Sequence, residues 1–362
     1  MHSATIATAT TGLLTRQCYR ISISSMLPTS ILPSELLAML RRVGEKLADQ
    51  QSIEDDYQGV VEGLCAISPT LLARAEAEIV DAAQLYRWRR ATPIHARLFR
   101  PVITDREQLA DIAGLQFLFL FHRDGHIREA ALRKVAEPVP AAFLFVALAW
   151  RLNDWVAEVR AAAADCATRV FPITAPDVIA EAAMVLLGRG GTWGRWASER
   201  HILEQTLERV DVAENLADIF ATRTTGPAAT ALRHSLRSAT MDRHLARLAR
   251  TAIQPAVRAL ATQVLIEGVA RWPNGWRWRW IDKSMGIRQA ETAFESRSLT
   301  VPSDRLAEIM AGLNDRSAAV RNTAIVGLMR HREMIPNVRD LAAPLLKDRS
   351  RRVRERAEFL LK

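Results

Sequence analysis

The sequence predicts an all-α protein made of stacked pairs of antiparallel helices, and three observations point there. A short motif returns at a nearly constant interval, and an apolar stripe of helical period follows most copies of it. Glycine (16) and proline (15) are too scarce for a turn-rich all-β chain of 362 residues. With 49% apolar and 25% charged residues, the chain has the proportions of a folded protein rather than a disordered one.

Taken in order, residues 1–25 contain no Asp or Glu and lack the continuous apolar core of a secretory signal. They are expected to be a disordered or non-native upstream segment, with Met26 as the start. Residues 26–104 are expected to form an N-terminal helical cap, since an array of repeats needs an atypical unit to cover its open end. Ser34–Asp49 reads as one helix, with acid in its first turn. Residues 69–90 read as a second, long and exposed, ending on Arg87, Arg89 and Arg90 as the helix dipole prefers.

Residues 105–362 carry the repeat. Asp282-Lys283-Ser284, Asp315-Arg316-Ser317 and Asp348-Arg349-Ser350 are each followed, after two variable residues, by a β-branched residue and Arg: Ile287-Arg288, Val320-Arg321 and Val353-Arg354. Asp154 to Arg160 keeps the Asp and the Val-Arg, while Ile127-Arg128 and Val257-Arg258 keep only the second half. The arginines at 128, 160, 258, 288, 321 and 354 lie 32, 98, 30, 33 and 33 residues apart. Because 98 is nearly three such intervals, two degenerate units are expected between Arg160 and Arg258, giving about eight in all. Asp with Ser two residues on is turn and helix-cap chemistry, the Ser oxygen being able to accept from a free amide of the first turn. Behind it, Val353, Ala357, Leu360 and Leu361 share one helix face, as do Val159, Ala163, Cys166, Ala167 and Val170. Four residues after the β-branched position stands Ala in five of six units (131, 163, 261, 324 and 357), with Glu291 the exception. A small residue there lets neighbouring helices approach closely.

A helix, a turn Asp and a second helix opening on Val-Arg with Ala beyond resembles the HEAT repeat of the armadillo-type proteins. The resemblance implies a right-handed α-solenoid. It also implies a hydrogen-bonded ladder along the stack, with Asp154, Asp282, Asp315 and Asp348 as its acidic members and Arg160, Arg288, Arg321 and Arg354 as its basic ones. These residues are read as structural.

Few segments invite a chemical reading. His122 and His126 stand four apart in an inter-helix turn with no third ligand at a recognisable spacing. Gly188–Gly194 (GRGGTWG) lacks the Lys-Ser/Thr of a phosphate loop and comes after an apolar helix rather than a strand. Cys18, Cys65 and Cys166 form no CxxC spacing, which argues against a disulfide framework and fits a reducing cytoplasm. The longest apolar run, Pro140–Trp150, is half of the ~20 residues that span a bilayer. No catalytic residue, cofactor, metal, membrane or small-molecule substrate is therefore expected.

Charge is more informative. Residues 233–283 hold ten basic and three acidic side chains, a net of +7 out of +9 for the whole chain. Arg243, Arg247 and Arg250 fall on one helical face. Beyond them, Arg271 to Trp280 holds four of the nine tryptophans. Offsets counted back from Asp282 place Trp276 and Trp280 in a helical core and leave Trp278, with Arg277 and Arg279, facing outward. Basic groups interleaved with aromatics suit nucleic acid. The expected function is thus a non-catalytic scaffold that binds another protein, with nucleic-acid binding through 233–283 as the alternative. A DNA-repair enzyme akin to HEAT-like alkylpurine glycosylases is the remote variant of that alternative, since their motif finds no residue-by-residue match.

Overall fold

The computed structural model describes residues 30–86, 104–189, 193–195 and 199–362. Residues 1–25, Met26, the arginines at 87, 89 and 90, and part of the 188–194 glycine segment lie outside the described residues.

Three helices open the chain: α1 (Ser34–Ala48), α2 (Glu54–Cys65) and α3 (Leu72–Ala82). The helix expected over 69–90 stops at Ala82. Gln84 adopts a left-handed φ of 54°, and the amide of Leu85 donates back to the carbonyl of Val80 at 3.0 Å, a Schellman-type stop. The physical cause is Leu85, whose side chain turns into the core and is fully buried.

From Asp105 onward the chain forms successive helical pairs. α4 (Asp105–Asp111) and α5 (Leu115–Phe119) precede α6 (Gly125–Lys134); α7 (Ala142–Arg151) precedes α8 (Ala157–Val170). α9 (Pro176–Arg189) and α10 (Arg200–Leu207), then α11 (Val210–Thr222) and α12 (Ala228–Ser235), occupy the region where two degenerate units are expected. α13 (Leu245–Thr251) pairs with α14 (Pro255–Glu267), α15 (Arg305–Leu313) with α16 (Ala318–Arg330), and α17 (Val338–Ala342) with α18 (Arg351–Leu361). α7, α9 and α11 pack side by side in one layer; α6 against α8, and α14, α16 and α18 in succession, pack in the other. This is a mostly α-helical, helical-repeat arrangement. Ala131, Ala163, Ala261, Ala324 and Ala357 are all fully buried. At one close approach a methyl group on Gly312 would stand 2.8 Å from the Ala324 side chain, so α15 lies on α16 with room for hydrogen only.

The chain is not wholly helical. Val269–Asp282 (β1) and Ile287–Ser298 (β2) form an antiparallel hairpin where the sequence predicts a helix, a turn and a second helix. Gly268, at φ 67°, ends α14 in the left-handed conformation, and Leu299 N donates to Gly268 O at 3.0 Å to close the ribbon at its base. The hairpin has 30 residues, close to one repeat, so the insertion imitates the period. Arg258 and Arg321 are 63 residues apart, and without the hairpin the interval is 33. Glu291, the one position to break the alanine rule, lies on β2. Among the described residues the array therefore has one helical unit fewer than expected.

Candidate functional site

The ladder is a set of guanidinium forks. Arg128 Nε and Nη2 donate to the two carboxylate oxygens of Asp154 at 3.0 and 2.8 Å. Arg321 grips Asp348 in the same way at 2.6 and 2.9 Å, and Arg258 grips Asp315 at 2.9 and 3.0 Å. The remaining Nη1 of each Arg reaches a carbonyl six residues back: Arg128 to His122, Arg258 to Ala252, Arg321 to Asp315, with Arg160 to Asp154 and Arg354 to Asp348 alike. Each fork ties its own turn to the Asp of the next unit. Of the expected basic members, Arg321 alone forks an Asp. Arg160 and Arg354 donate to the backbone carbonyls of Asp154 and Asp348, Arg128 and Arg258 fork in their place, and Asp282 and Arg288 take no part. Asp282 sits at the tip of the hairpin, where it accepts from Ser284 and Met285, and Arg288 lies on β2. Arg258 instead bonds across the insertion to Asp315, 57 residues away.

These carboxylates respond to pH in one direction. Burial alone would raise the carboxyls of Asp154 and Asp315, but the forks from Arg128 and Arg258, with amide donors at Val156 and Ser317, outweigh it and hold both below the ordinary range. At Asp348 the Arg321 fork is the leading cause of the same depression. A carboxylate depressed by folding stabilises the protein fully above its unfolded value of about 3.9, and that contribution is lost as pH falls through the folded value. The midpoint of thermal unfolding is therefore expected to be insensitive to these groups from pH 7 to about 5 and to drop steeply below about 4. Calorimetry across that range checks it; a midpoint unchanged in strong acid would contradict the role given to the forks.

The cationic helical face is largely neutralised. Arg247 Nη1 lies 2.7 Å from Asp218, Arg250 Nη1 2.8 Å from Glu308, and Arg243 Nη1 3.9 Å from Glu214. On the hairpin, Arg277 bonds Glu291 at 2.6 Å and Arg279 lies 3.9 Å from the same carboxylate. The structure does not bring Arg243, Arg247 and Arg250 together with Arg277 and Arg279 as one free patch; each set has acids of its own.

Trp278 is exposed, as the sequence suggests, but so are Trp276 and Trp280, at 74% and 50%. The offsets that place them in a core hold only for a helix. The signal that finds the ribbon is the strict alternation Trp-Arg-Trp-Arg-Trp over 276–280, which has the period of a strand. Trp272 alone of the four is buried, at the hairpin base. There Arg297 forks onto Asp242 at 2.7 and 2.8 Å, and Thr300 donates to the same carboxylate. Neither Asp242 nor Arg297 belongs to the repeat motif, so periodicity gives no sign of them.

Among the described residues, a cavity of about 230 Å³ lies between α14 and the Arg271–Phe294 side of the hairpin. Two larger ones matter most here. One, of about 460 Å³, lies at the hairpin base between Trp272, Met241, Leu216 and the Arg200–Glu204–Arg237 ion cluster. The other, of about 700 Å³, is a groove that crosses Cys65–Pro69, Pro140–Phe143, the first turns of α9 and the body of α11. Its surface combines Ile67, Val178 and Ile219 with Asp177, Glu181 and Asp218.

Among the described residues no group of three or more His, Cys, Asp or Glu side chains is placed to hold a metal ion. Cys166 is buried, and burial pushes its thiol up to about 12, far from a reactive thiolate. No helix among the described residues is long and apolar enough to cross a membrane. The fold and its surfaces define a class, a helical-repeat protein with a projecting β-hairpin. No family model, no curated protein and no solved structure matches the chain.

Proposed function

We propose that the chain is a HEAT-like α-solenoid acting as a non-catalytic scaffold, and that it binds another protein in the groove of residues 65–222. The observation that carries this reading is the groove itself, which runs across the edges of successive helices rather than closing around a small molecule. Its mixture of apolar side chains with Asp177 and Glu181 suits an extended segment that presents apolar and basic residues in turn. Val139 N donates to Thr174 Oγ1, and Arg209 Nη1 to the carbonyls of Phe171 and Thr174, which ties the units lining the groove together before the partner arrives, so less ordering entropy opposes binding.

The test is site-specific crosslinking. A photoreactive residue at Val178 should capture a defined partner from the native host, whereas one at Asp165, exposed on α8 of the other layer, should not. Asp177→Lys with Glu181→Lys should abolish capture and leave the thermal midpoint unchanged, because both side chains are exposed. Capture that is equal from both layers, or that survives the charge reversal, would remove the groove from the function.

A further inference from the structure

The hairpin carries a second surface, independent of the groove. The strand register sorts its side chains by chemistry. Pairing of Arg271 with Ser296, Pro273 with Phe294, Trp276 with Thr292, Trp278 with Ala290 and Trp280 with Arg288 puts these residues on one face, because the irregularity between Pro273 and Trp276 inserts an extra residue and keeps the faces aligned. That face therefore holds Trp276, Trp278, Trp280 and Phe294 with Arg271 and Arg288. The ribbon's strand-paired carboxylates, Glu291 opposite Arg277 and Glu295 opposite Trp272, lie on the other face, and Asp282 is occupied in the turn. Near the base the other face, through Ala270 and Trp272, is buried against the helices, while Arg271 and Phe294 of the aromatic face border a cleft beside Gln263 and Glu267 of α14, and from Trp276 to Trp280 that face is open to solvent. Trp276, Trp278, Trp280 and Phe294 are 50–74% exposed, a costly display of apolar area unless a partner covers it.

We infer that this face binds single-stranded nucleic acid, with its bases stacked between the indole rings. Charge selects an anionic partner: six basic and three acidic residues give the hairpin a net +3, with the strand-paired acids segregated to the far side. A second copy of the chain would meet like charge. Spacing selects a stacked one. Side chains two apart on one strand face stand about 6.6–6.8 Å from each other, twice the ~3.4 Å rise of stacked bases, so each gap between successive rings has the thickness of one base. The Arg288 guanidinium already lies over the Trp278 ring at 4.5 Å from its centre, a planar cation in the kind of slot a base would take. From the Pro273–Phe294 pair to the Trp280–Arg288 pair the platform extends roughly 20 Å, enough for a few unstacked nucleotides. Arg271 and Arg288, at its two ends, are placed for the phosphates.

The experiment uses the full chain with a fluorescent twelve-residue oligothymidylate, its duplex with oligoadenylate, and phosphatidylserine-containing vesicles. Single strands are expected to bind at micromolar protein or below, to quench tryptophan emission, and to lose affinity steeply as salt rises. The triple variant W276A/W278A/W280A should lose at least about tenfold in affinity while its circular dichroism and thermal midpoint match the parent. R277A/R279A, on the opposite face, should change affinity little. Absence of oligothymidylate binding at micromolar protein, duplex binding as tight as single-strand binding, vesicle binding without oligonucleotide binding, or full affinity in the triple variant would each overturn the assignment. None of these outcomes bears on the groove, whose crosslinking test reads a different surface.

Discussion

Replacing Arg258 by Ala should lower stability by about 3–5 kcal/mol, the usual consequence of removing one member of a buried ion pair. The Arg258 side chain is 2% exposed and Asp315 13%, and the fork spans the seam where the hairpin interrupts the array. Its loss leaves the Asp315 carboxylate without its guanidinium and the carbonyls of Ala252 and Ile253 without their donor. Arg288→Ala, at the same place in the sequence motif, should cost less than about 1 kcal/mol, because it forfeits only an exposed stacking contact with Trp278. Urea denaturation of the two variants compares them directly. Equal losses would mean that Arg288 supports the array after all. Arg258→Leu combined with Asp315→Leu should recover much of the stability, since an apolar pair of similar volume often replaces a buried ion pair without loss.

Val320→Asp should be of similar severity, roughly 3 kcal/mol or more, because it buries an unpaired charge. Val320 is 1% exposed in the first turn of α16, and the helix it belongs to packs on both α14 and α18. Ser317→Ala, three residues earlier, should cost about 1 kcal/mol, the loss of a helix cap: the Ser317 hydroxyl accepts from the Ala319 amide at 3.3 Å, while Asp315 continues to hold the Ser317 amide at 2.6 Å. The order of the two thermal midpoints checks the assignment of the buried face. A Val320→Asp midpoint as high as that of Ser317→Ala would place Val320 on the solvent side.

Arg258 and Arg288 also mark the limit of what periodicity conveys. Helices with Val, Ala and Leu on one face were legible along most of 125–361, because amphipathic period is a local property of ten or so residues. The Asp-x-Ser turn was equally legible, and it forms at all three sites: the amides of Ser284, Ser317 and Ser350 each donate to the Asp two residues before, at 2.8, 2.6 and 2.7 Å. Beyond the turn the three units part ways. After Ser317 and Ser350 come Ala-Ala-Val and Arg-Arg-Val, which continue as helix. After Ser284 comes Met-Gly-Ile, with Gly286 at a left-handed φ of 66°, and the returning strand pairs back along Trp-Arg-Trp-Arg-Trp. The alternation was in the sequence, but a 30-residue ribbon hid it by matching the repeat length.

Of the site, the aromatic and basic character of 271–280 was readable, and its orientation was not. The exposure of Trp276 and Trp280 depends on the strand register, and the neutralisation of Arg243, Arg247 and Arg250 depends on acids at 214, 218 and 308. The groove likewise draws on segments from 65 to 222 that no motif links. By itself the sequence determined most of the helices and the Asp-x-Ser turns, since these rest on contacts within a few residues. Only the tertiary structure decided which Asp each Arg holds, which face of the ribbon meets solvent, and which charges cancel. Those outcomes are set by packing between segments far apart in the chain, where one Arg258 can choose an Asp 57 residues on over one only 24 away.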